Sequence, residues 1–189
     1  MESKKIFCDI TKCTGCRTCE LACAVEHSVA KDLFLAILER PRPKKRRDTQ
    51  FIERSVSHSI GCQHCDEPPC IEACMASCIS KDKKTGKVDI DIKRCVGCWM
   101  CIMVCPFASI TRQYAEDPEC SRLFSETSGP RSDISQNSYI RGNKALKCDL
   151  CPDRDSPACV DSCPTRALSY ETRSEVKKKQ PFTKFVQVC

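Results

Sequence analysis

The chain has few of the residues that build a large apolar core. Aromatic residues make up only 6% of its 189 residues, and tryptophan occurs once. Mean hydropathy is −0.38. A length of 189 residues suits one compact unit or two small ones. Because small units with thin cores usually need cross-links or bound metals to fold, we expect the fold to depend on such additions.

Other features are also missing. No apolar run of about 18 residues occurs, so the sequence predicts no membrane-spanning helix. Residues Met1–Phe7 hold neither an apolar signal-peptide core nor a pair of arginines, so we expect a cytoplasmic protein of a reducing, anaerobic setting. No nucleophile–base pair, phosphate loop or dinucleotide fingerprint is found, so we expect no catalytic site in the chain itself.

Cysteine is the residue in excess. The chain has 20 cysteines, and four runs of four share similar short spacings. The runs are Cys13, Cys16, Cys19 and Cys23; Cys62, Cys65, Cys70 and Cys74; Cys95, Cys98, Cys101 and Cys105; and Cys148, Cys151, Cys159 and Cys163. Cysteines at two-residue intervals lie on one tight loop that can cap three irons of a cubane, while the fourth follows a turn away from that face. The runs therefore predict four 4Fe–4S clusters.

Two other uses of cysteine fit these spacings poorly. Disulfides seldom involve three cysteines at two-residue intervals, because such close neighbours cannot bridge without strain. Zinc ribbons use Cys-x2-Cys pairs, but they do not need a third and a fourth cysteine repeated in four runs.

The ligand sets are expected to cross between runs. In two-cluster ferredoxins the fourth cysteine of a run binds the other cluster. The expected sets are Cys62, Cys65, Cys70 and Cys105; Cys95, Cys98, Cys101 and Cys74; Cys13, Cys16, Cys19 and Cys163; and Cys148, Cys151, Cys159 and Cys23.

The runs also predict the domain organisation. Residues 58–111 hold the second and third runs and a strand pattern near 85–92, and they form an inner two-cluster ferredoxin-like unit. Residues 1–57 and 112–189 form an outer unit of the same kind. The sequence therefore predicts an α+β fold in which one bacterial-type two-cluster ferredoxin unit is nested in another.

Some segments depart from the ferredoxin pattern: two insertions, 28–57 and 117–142, and a polar C-terminal tail, 171–189. The first contains an apolar helical stretch, Leu33–Leu38, a basic run, Lys44–Arg47, and a strand pattern at 51–56. We interpret the basic run and the lysines at 177–179 as solvated surface, with steering towards an acidic partner face as the alternative.

The net charge of +6 does not indicate nucleic-acid binding. Each 4Fe–4S site with its four thiolates adds roughly −2, so the loaded protein carries about −2 in total. No nucleic-acid recognition motif accompanies the basic residues.

Four cysteines lie outside the runs: Cys8, Cys78, Cys120 and Cys189. We interpret Cys8 and Cys78 as small buried apolar residues. Cys120 and Cys189 lie in polar segments and are expected to be exposed thiols, with a role as extra metal ligands left open.

Three ring side chains lie next to predicted ligands. His27 and His64 are expected to be surface or capping histidines, and a hydrogen bond to a cluster is the alternative. Trp99 is expected to pack over a cluster and limit the access of water.

The segments Cys62–Cys70, Cys95–Phe107 and Lys147–Cys151 resemble a known family. They are similar to the four-cluster iron–sulfur subunits of dimethyl-sulfoxide-reductase-type enzymes, formate dehydrogenases and some hydrogenases. The resemblance runs from about Lys4 to Tyr170, and it implies the nested double-ferredoxin fold and the crossed ligation. The chain has Met75 where the family usually has proline, and it has Cys78 in a Gly-Ala position of the family. Both differences alter one turn beside a cluster.

Within that family, Leu21–Ser28, Lys31–Phe34 and Pro41–Pro43 look most like the electron-transfer subunit of anaerobic nickel–iron carbon monoxide dehydrogenase. The resemblance implies electron relay from that enzyme to a hydrogenase or another oxidoreductase, such as a flavoprotein, with any membrane contact made through a partner. One alternative is the same relay in a formate dehydrogenase, a formate hydrogenlyase or a molybdopterin reductase. Another is an iron–sulfur accessory or assembly protein.

Overall fold

Short strands and short helices alternate along the chain. The structure is a computed structural model, and it describes residues 3–39, 42–53, 56–113 and 144–179. The elements in these ranges are β1 (Lys5–Cys8), α1 (Thr18–Glu26), α2 (Leu33–Leu38), β2 (Arg47–Glu53), β3 (Val56–Gly61), α3 (Pro69–Glu72), β4 (Ile79–Lys81), β5 (Val88–Ile90), α4 (Met100–Val104), β6 (Thr111–Gln113), β7 (Lys144–Leu146), α5 (Ala158–Asp161), β8 (Leu168–Glu171) and α6 (Arg173–Lys179). The mixture confirms the α+β class. The strand expected within 85–92 and the helix expected at Leu33–Leu38 are both present.

The described strands form two-stranded antiparallel sheets. In one of these sheets the two strands come from opposite ends of the described sequence. Strand β1 pairs with β8, so that Lys5 lies opposite Glu171. Strand β4 pairs with β5 across the turn at 82–86, and β6 pairs with β7. The remaining pair is the β2–β3 hairpin.

Cysteines supply at least half of each buried apolar cluster in the described part of the chain. One cluster consists of Cys70, Cys78, Ile79, Val88, Cys95, Cys101, Ile110 and Ala145. The other consists of Ile6, Cys8, Cys19, Cys148, Cys159 and Leu168. The aliphatic core is therefore as thin as the composition indicates, and sulfur takes its place.

The interpretation of the basic run Lys44–Arg47 as solvated surface holds for the exposed Lys44 but is wrong for the buried Arg47. Arg47 is only 5% exposed, and its guanidinium donates to Ser59 through Nε–Oγ (2.7 Å) and Nη2–O (2.9 Å). Of the strand expected at 51–56, residues 51–53 form the end of β2, which begins at Arg47, and Val56 begins β3. Arg47 is buried because Ser59 of the neighbouring strand accepts its hydrogen bonds, and the adjacent Lys45 pairs with Glu20, whose Oε2 lies 2.6 Å from Lys45 Nζ.

Helix α2 buries almost nothing of its apolar surface. The Asp32 carboxylate caps its first turn by accepting from the backbone N–H groups of Phe34 (2.9 Å) and Leu35 (3.0 Å). Phe34 is 77% exposed and Leu38 is 71% exposed, while only Ala36 is buried. The helix forms as its sequence predicts, but its apolar residues face outward.

The beginning of the predicted polar tail is folded. Thr172 and Glu175 form a capping box at the start of α6, with Thr172 N–Oε2 at 2.8 Å and Glu175 N–Oγ1 at 3.3 Å. Val176 is buried, and the lysines at 177–179 are exposed as expected. The insertion at 117–142, the end of the tail at 180–189, Cys120 and Cys189 lie outside the described residues.

No helix within the described ranges is both long and apolar enough to cross a membrane.

Replacing Glu20 with alanine is expected to destabilise the protein. The Glu20 side chain is 9% exposed, and its Oε1 accepts from the Thr49 backbone N–H (2.6 Å). Glu20→Ala leaves that N–H without its partner, at a cost of about 1–3 kcal/mol in the free energy of unfolding. Anaerobic thermal unfolding followed by circular dichroism measures the change. The exposed Glu72→Ala provides the control, with a change within about 0.5 kcal/mol; equal effects in the two variants would contradict the assignment.

Candidate iron–sulfur sites

The structure brings the sixteen cysteines of the four runs into four groups. Three groups each line one cavity: Cys62, Cys65, Cys70 and Cys105; Cys74, Cys95, Cys98 and Cys101; and Cys13, Cys16, Cys19 and Cys163. In the fourth group, Cys23 lies within electrostatic range of Cys148, Cys151 and Cys159. Each group thus combines three cysteines of one run with the last cysteine of another.

The loop between the first two cysteines of every run makes the same turn. The residue before the second cysteine has positive φ in all four loops: Gly15 (69°), His64 (44°), Gly97 (71°) and Leu150 (61°). This left-handed residue bends the backbone into a concave shape whose N–H groups can face an anionic group. Two of the positions carry a non-glycine side chain, so the chain accepts some strain there to make the turn.

Backbone N–H groups donate to the sulfurs of the last cysteines of the runs. Cys74 Sγ accepts from the N–H of Cys78, and Cys163 Sγ accepts from the N–H of Ala167, both at 3.3 Å. In each case the donor lies four residues after the sulfur. Hydrogen bonds to sulfur are among the features that set the reduction potential of an iron–sulfur cluster.

Cys23 receives its hydrogen bond from the first insertion. Helix α1 continues past Cys23 to Glu26, and the N–H of Arg46 takes the place of a local donor at 3.3 Å. The Arg46 guanidinium also pairs with Asp149, which lies between two cysteines of the same group. The insertion therefore completes this site.

His27 joins the same network. Its Nδ1–H donates to the carbonyl oxygen of Cys23 (2.7 Å), and its Nε2 lies 3.1 Å from Asp149 Oδ1. Burial acts to raise the pKa of Asp149, but His27 and Arg46 outweigh it and hold that pKa well below its usual range. The capping role expected for His27 is confirmed, and the carboxylate it contacts comes from a loop that sequence reasoning did not connect to it.

His64 is not a surface histidine. It is 1% exposed, and its Nδ1 accepts from the backbone N–H of Val88 (3.0 Å). Burial, helped by nearby Lys147, lowers the pKa of His64 to about 3, so the ring is neutral. The side chain lines the cavity of the Cys62 group.

Lys147 was missed by the sequence reasoning. It is 5% exposed, and its Nζ donates to the carbonyl oxygens of Val88 and of Cys148 (2.9 Å). Burial raises the pKa of Cys62 to about 11, and the Lys147 charge opposes that rise. A buried cation next to thiolates offsets the negative charge that bound clusters bring. Its position directly before Cys148 is the only signal that the sequence offers.

Trp99 lines the cavity of the Cys95 group, as expected. Its backbone is left-handed (φ 66°), and the Arg112 guanidinium lies 5.3 Å from the centre of its ring. That the indole limits the access of water to this cavity stays a prediction.

Cys8 and Cys78 are buried, as expected, at 4% and 5% exposure. Burial raises the pKa of each thiol to about 12. Cys78 Sγ lies 3.3 Å from Cys74 Sγ. Burial acts to raise the pKa of Cys74 as well, but hydrogen bonds from Cys78 outweigh it and lower that pKa. The two thiols thus lie within hydrogen-bond distance of each other.

Comparison with known proteins identifies the family. Residues 55–127 match the 4Fe-4S dicluster domain. The protein is 34% identical over 174 residues to an iron–sulfur protein of Rhodospirillum rubrum, covering 88% of this sequence and 81% of that protein. It is 33% identical over 175 residues to the electron transport protein HydN of Escherichia coli K12, covering 92% and 90%. It is 32% identical over 181 residues to the B subunit of the anaerobic dimethyl sulfoxide reductase of the same strain, covering 92% and 75%.

The 189-residue chain therefore belongs to this family of iron–sulfur electron-transfer proteins. It is an electron-transfer iron–sulfur subunit. The residues present fit the cofactor of the family. The donor sets consist of sulfur alone, and backbone N–H groups point at sulfur, which is the environment that 4Fe–4S clusters require.

Removal of iron is expected to unfold this iron–sulfur protein. Without metal, the buried cysteines leave poorly filled cavities in an already thin core. Iron is extracted anaerobically with a chelator under reducing conditions, and far-UV circular dichroism and protease digestion follow the chain. We expect loss of the native dichroism and rapid digestion, both reversed by iron and sulfide. A stripped chain that keeps its native dichroism would contradict the expectation.

Proposed function

We propose that this protein is a relay that carries electrons through four 4Fe–4S clusters between a donor enzyme and an acceptor. The observation that carries the proposal is the gathering of sixteen cysteines into four groups of four. Each group is taken as the ligand set of one cluster, which gives the crossed ligation. When bound, a 4Fe–4S cluster takes up and releases one electron, and the protein sets its spacing, potential and access to water.

The same proposal divides the chain into two nested units. The inner unit, residues 58–111, contains the β4–β5 sheet and most of one buried cluster. The outer unit, residues 1–57 and 112–189, contains the β1–β8 sheet and the other buried cluster. A chain of this length has a radius of gyration of roughly 16 Å, so four clusters lie close enough together to form a continuous path.

The donor in this proposal is nickel–iron carbon monoxide dehydrogenase. Support comes from the resemblance of Leu21–Ser28 and Lys31–Phe34 to the electron-transfer subunit of that enzyme. These segments form the end of α1 and the start of α2, and α2 exposes its apolar side chains. Contiguous exposed apolar residues are typical of a protein–protein interface, so we assign α2 to docking. The acceptor is a hydrogenase or a flavoprotein oxidoreductase.

The second candidate is the same relay in a molybdopterin reductase or a formate dehydrogenase, and the similarity to the B subunit of dimethyl sulfoxide reductase favours it. A role in cluster assembly is less well supported. An assembly protein must expose its ligands to a recipient, whereas only Cys16 and Cys98 of the sixteen are exposed.

The crossed ligation predicts which cysteine variants lose the same cluster. Cys105→Ala is expected to remove the cluster held by Cys62, Cys65 and Cys70, because Cys105 lines their cavity. Electron paramagnetic resonance spectra of the reduced protein, recorded during potentiometric titration, identify the missing cluster. The spectrum of Cys105→Ala is expected to match that of Cys65→Ala and to differ from that of Cys98→Ala. A match with Cys98→Ala would show that Cys105 binds within its own run.

The donor is tested with carbon monoxide. The reconstituted protein is mixed anaerobically with a catalytic amount of nickel–iron carbon monoxide dehydrogenase, and cluster absorption is followed after addition of the gas. We expect rapid bleaching that requires both the enzyme and carbon monoxide. Controls omit each in turn, and dithionite shows that the clusters can be reduced. Protein that dithionite bleaches but carbon monoxide does not would exclude this donor and favour the second candidate.

A further inference from the structure

A fifth thiol lies at one of the four candidate sites. The cavity of the Cys74, Cys95, Cys98 and Cys101 group is also lined by Cys78. The family pattern does not use this position for a ligand, and a 4Fe–4S cluster needs only four.

The Cys78 thiol lies against one cysteine of the site, Cys74. Its Sγ lies 3.3 Å from Cys74 Sγ, and its backbone N–H donates to the same sulfur at 3.3 Å. Its side chain also interacts with Cys95. A sulfur that touches one ligand and faces the cavity needs little movement to take over the iron of that ligand.

We propose that Cys78 is a reserve ligand that binds the iron of Cys74 when the bond between Cys74 and iron opens. One iron–sulfur bond breaks and another forms. The proton of the Cys78 thiol passes to the Cys74 sulfur that it already faces, so the exchange needs no oxidant or reductant. This inference depends on the assignment of a 4Fe–4S cluster to this cavity in the proposed function.

The two thiols differ in their exposure to solvent, and this difference shows how the exchange protects the cluster. Cys74 is half-buried, whereas Cys78 is 5% exposed. The ligand that solvent can reach is thus backed by one that is protected, and a cluster that loses Cys74 can stay in place.

The turn after Cys163 matches the turn after Cys74 but has no thiol at the equivalent position. After Cys74 and after Cys163, the third residue has positive φ (45° and 52°), and the N–H of the fourth donates to the cysteine sulfur at 3.3 Å. That fourth residue is Cys78 in one turn and Ala167 in the other. The two turns therefore have the same backbone and differ at this position by the presence of a thiol.

Cys8 has to be removed from the comparison. Its thiol is buried beside Cys13, a member of the Cys163 group, and it accepts a hydrogen bond from the backbone N–H of Ser59 (3.5 Å). Cys8→Ala is therefore introduced into all variants that are compared, and the protein with only that change is the parent.

The decisive experiment compares ligand losses at the two matched sites. Each variant is reconstituted anaerobically, iron and acid-labile sulfide are measured per polypeptide, and spectra of the reduced protein are recorded. We expect Cys74→Ala to keep the iron content of the parent and to change the spectrum of one cluster. We expect Cys163→Ala and the double variant Cys74→Ala/Cys78→Ala each to lose about a quarter of the iron. Adding Ala167→Cys to Cys163→Ala is expected to restore it.

Equal iron loss in Cys74→Ala and in the double variant would overturn the inference and leave Cys78 as a buried apolar residue. A chain that loses a cluster can fail to fold. Cys78→Ala alone is therefore also tested, because this variant keeps all sixteen ligands. We expect a chelator to remove its iron several-fold faster than that of the parent, and an unchanged rate would also overturn the inference. A parent protein that binds far less iron than four clusters require would contradict the proposed function itself. A fully loaded parent whose Cys74→Ala variant loses iron as the double variant does would contradict only the role of Cys78.

Discussion

Four thiols gathered at one place are a demanding arrangement, and this protein makes it four times. Burial raises the pKa of Cys23 to about 12 and that of Cys159 to about 11, so without metal these groups stay protonated and leave poorly packed space. Iron replaces the protons and fills the space. Folding, metal binding and proton release are therefore linked, and the thin aliphatic core is sufficient because the inorganic groups supply the missing cohesion.

The first insertion is part of this construction. It interrupts the ferredoxin pattern between the first and second runs, yet its backbone binds Cys23 and its arginines pair with buried groups elsewhere. Because α1 extends beyond Cys23, the turn that serves Cys74 and Cys163 is absent there. The insertion thus gives Cys23 the hydrogen bond that Cys74 and Cys163 receive from residues of their own turns.

The sequence was most informative where structure is local. Cysteine spacing predicted which cysteines lie together, and alternation or apolar patterning predicted β5 and α2. Sequence reasoning failed for residues whose hydrogen-bond partners lie far away in the chain. The burial of Arg47 depends on Ser59, and the environment of His27 depends on Asp149, more than 100 residues later. The position of Cys78 against Cys74 depends on the shape of one turn, which the residue types alone did not reveal.

The pairing of β1 with β8 bears on how the protein is made. Lys5 is synthesised long before its partner Glu171. At about 5–20 residues per second, the interval is roughly 10–30 seconds. During that time residues 58–111 are already available, while Cys13, Cys16 and Cys19 wait for Cys163. A nascent chain thus exposes unpaired thiols for many seconds, which makes a reducing surrounding and a supply of iron and sulfide necessary during synthesis as well as afterwards.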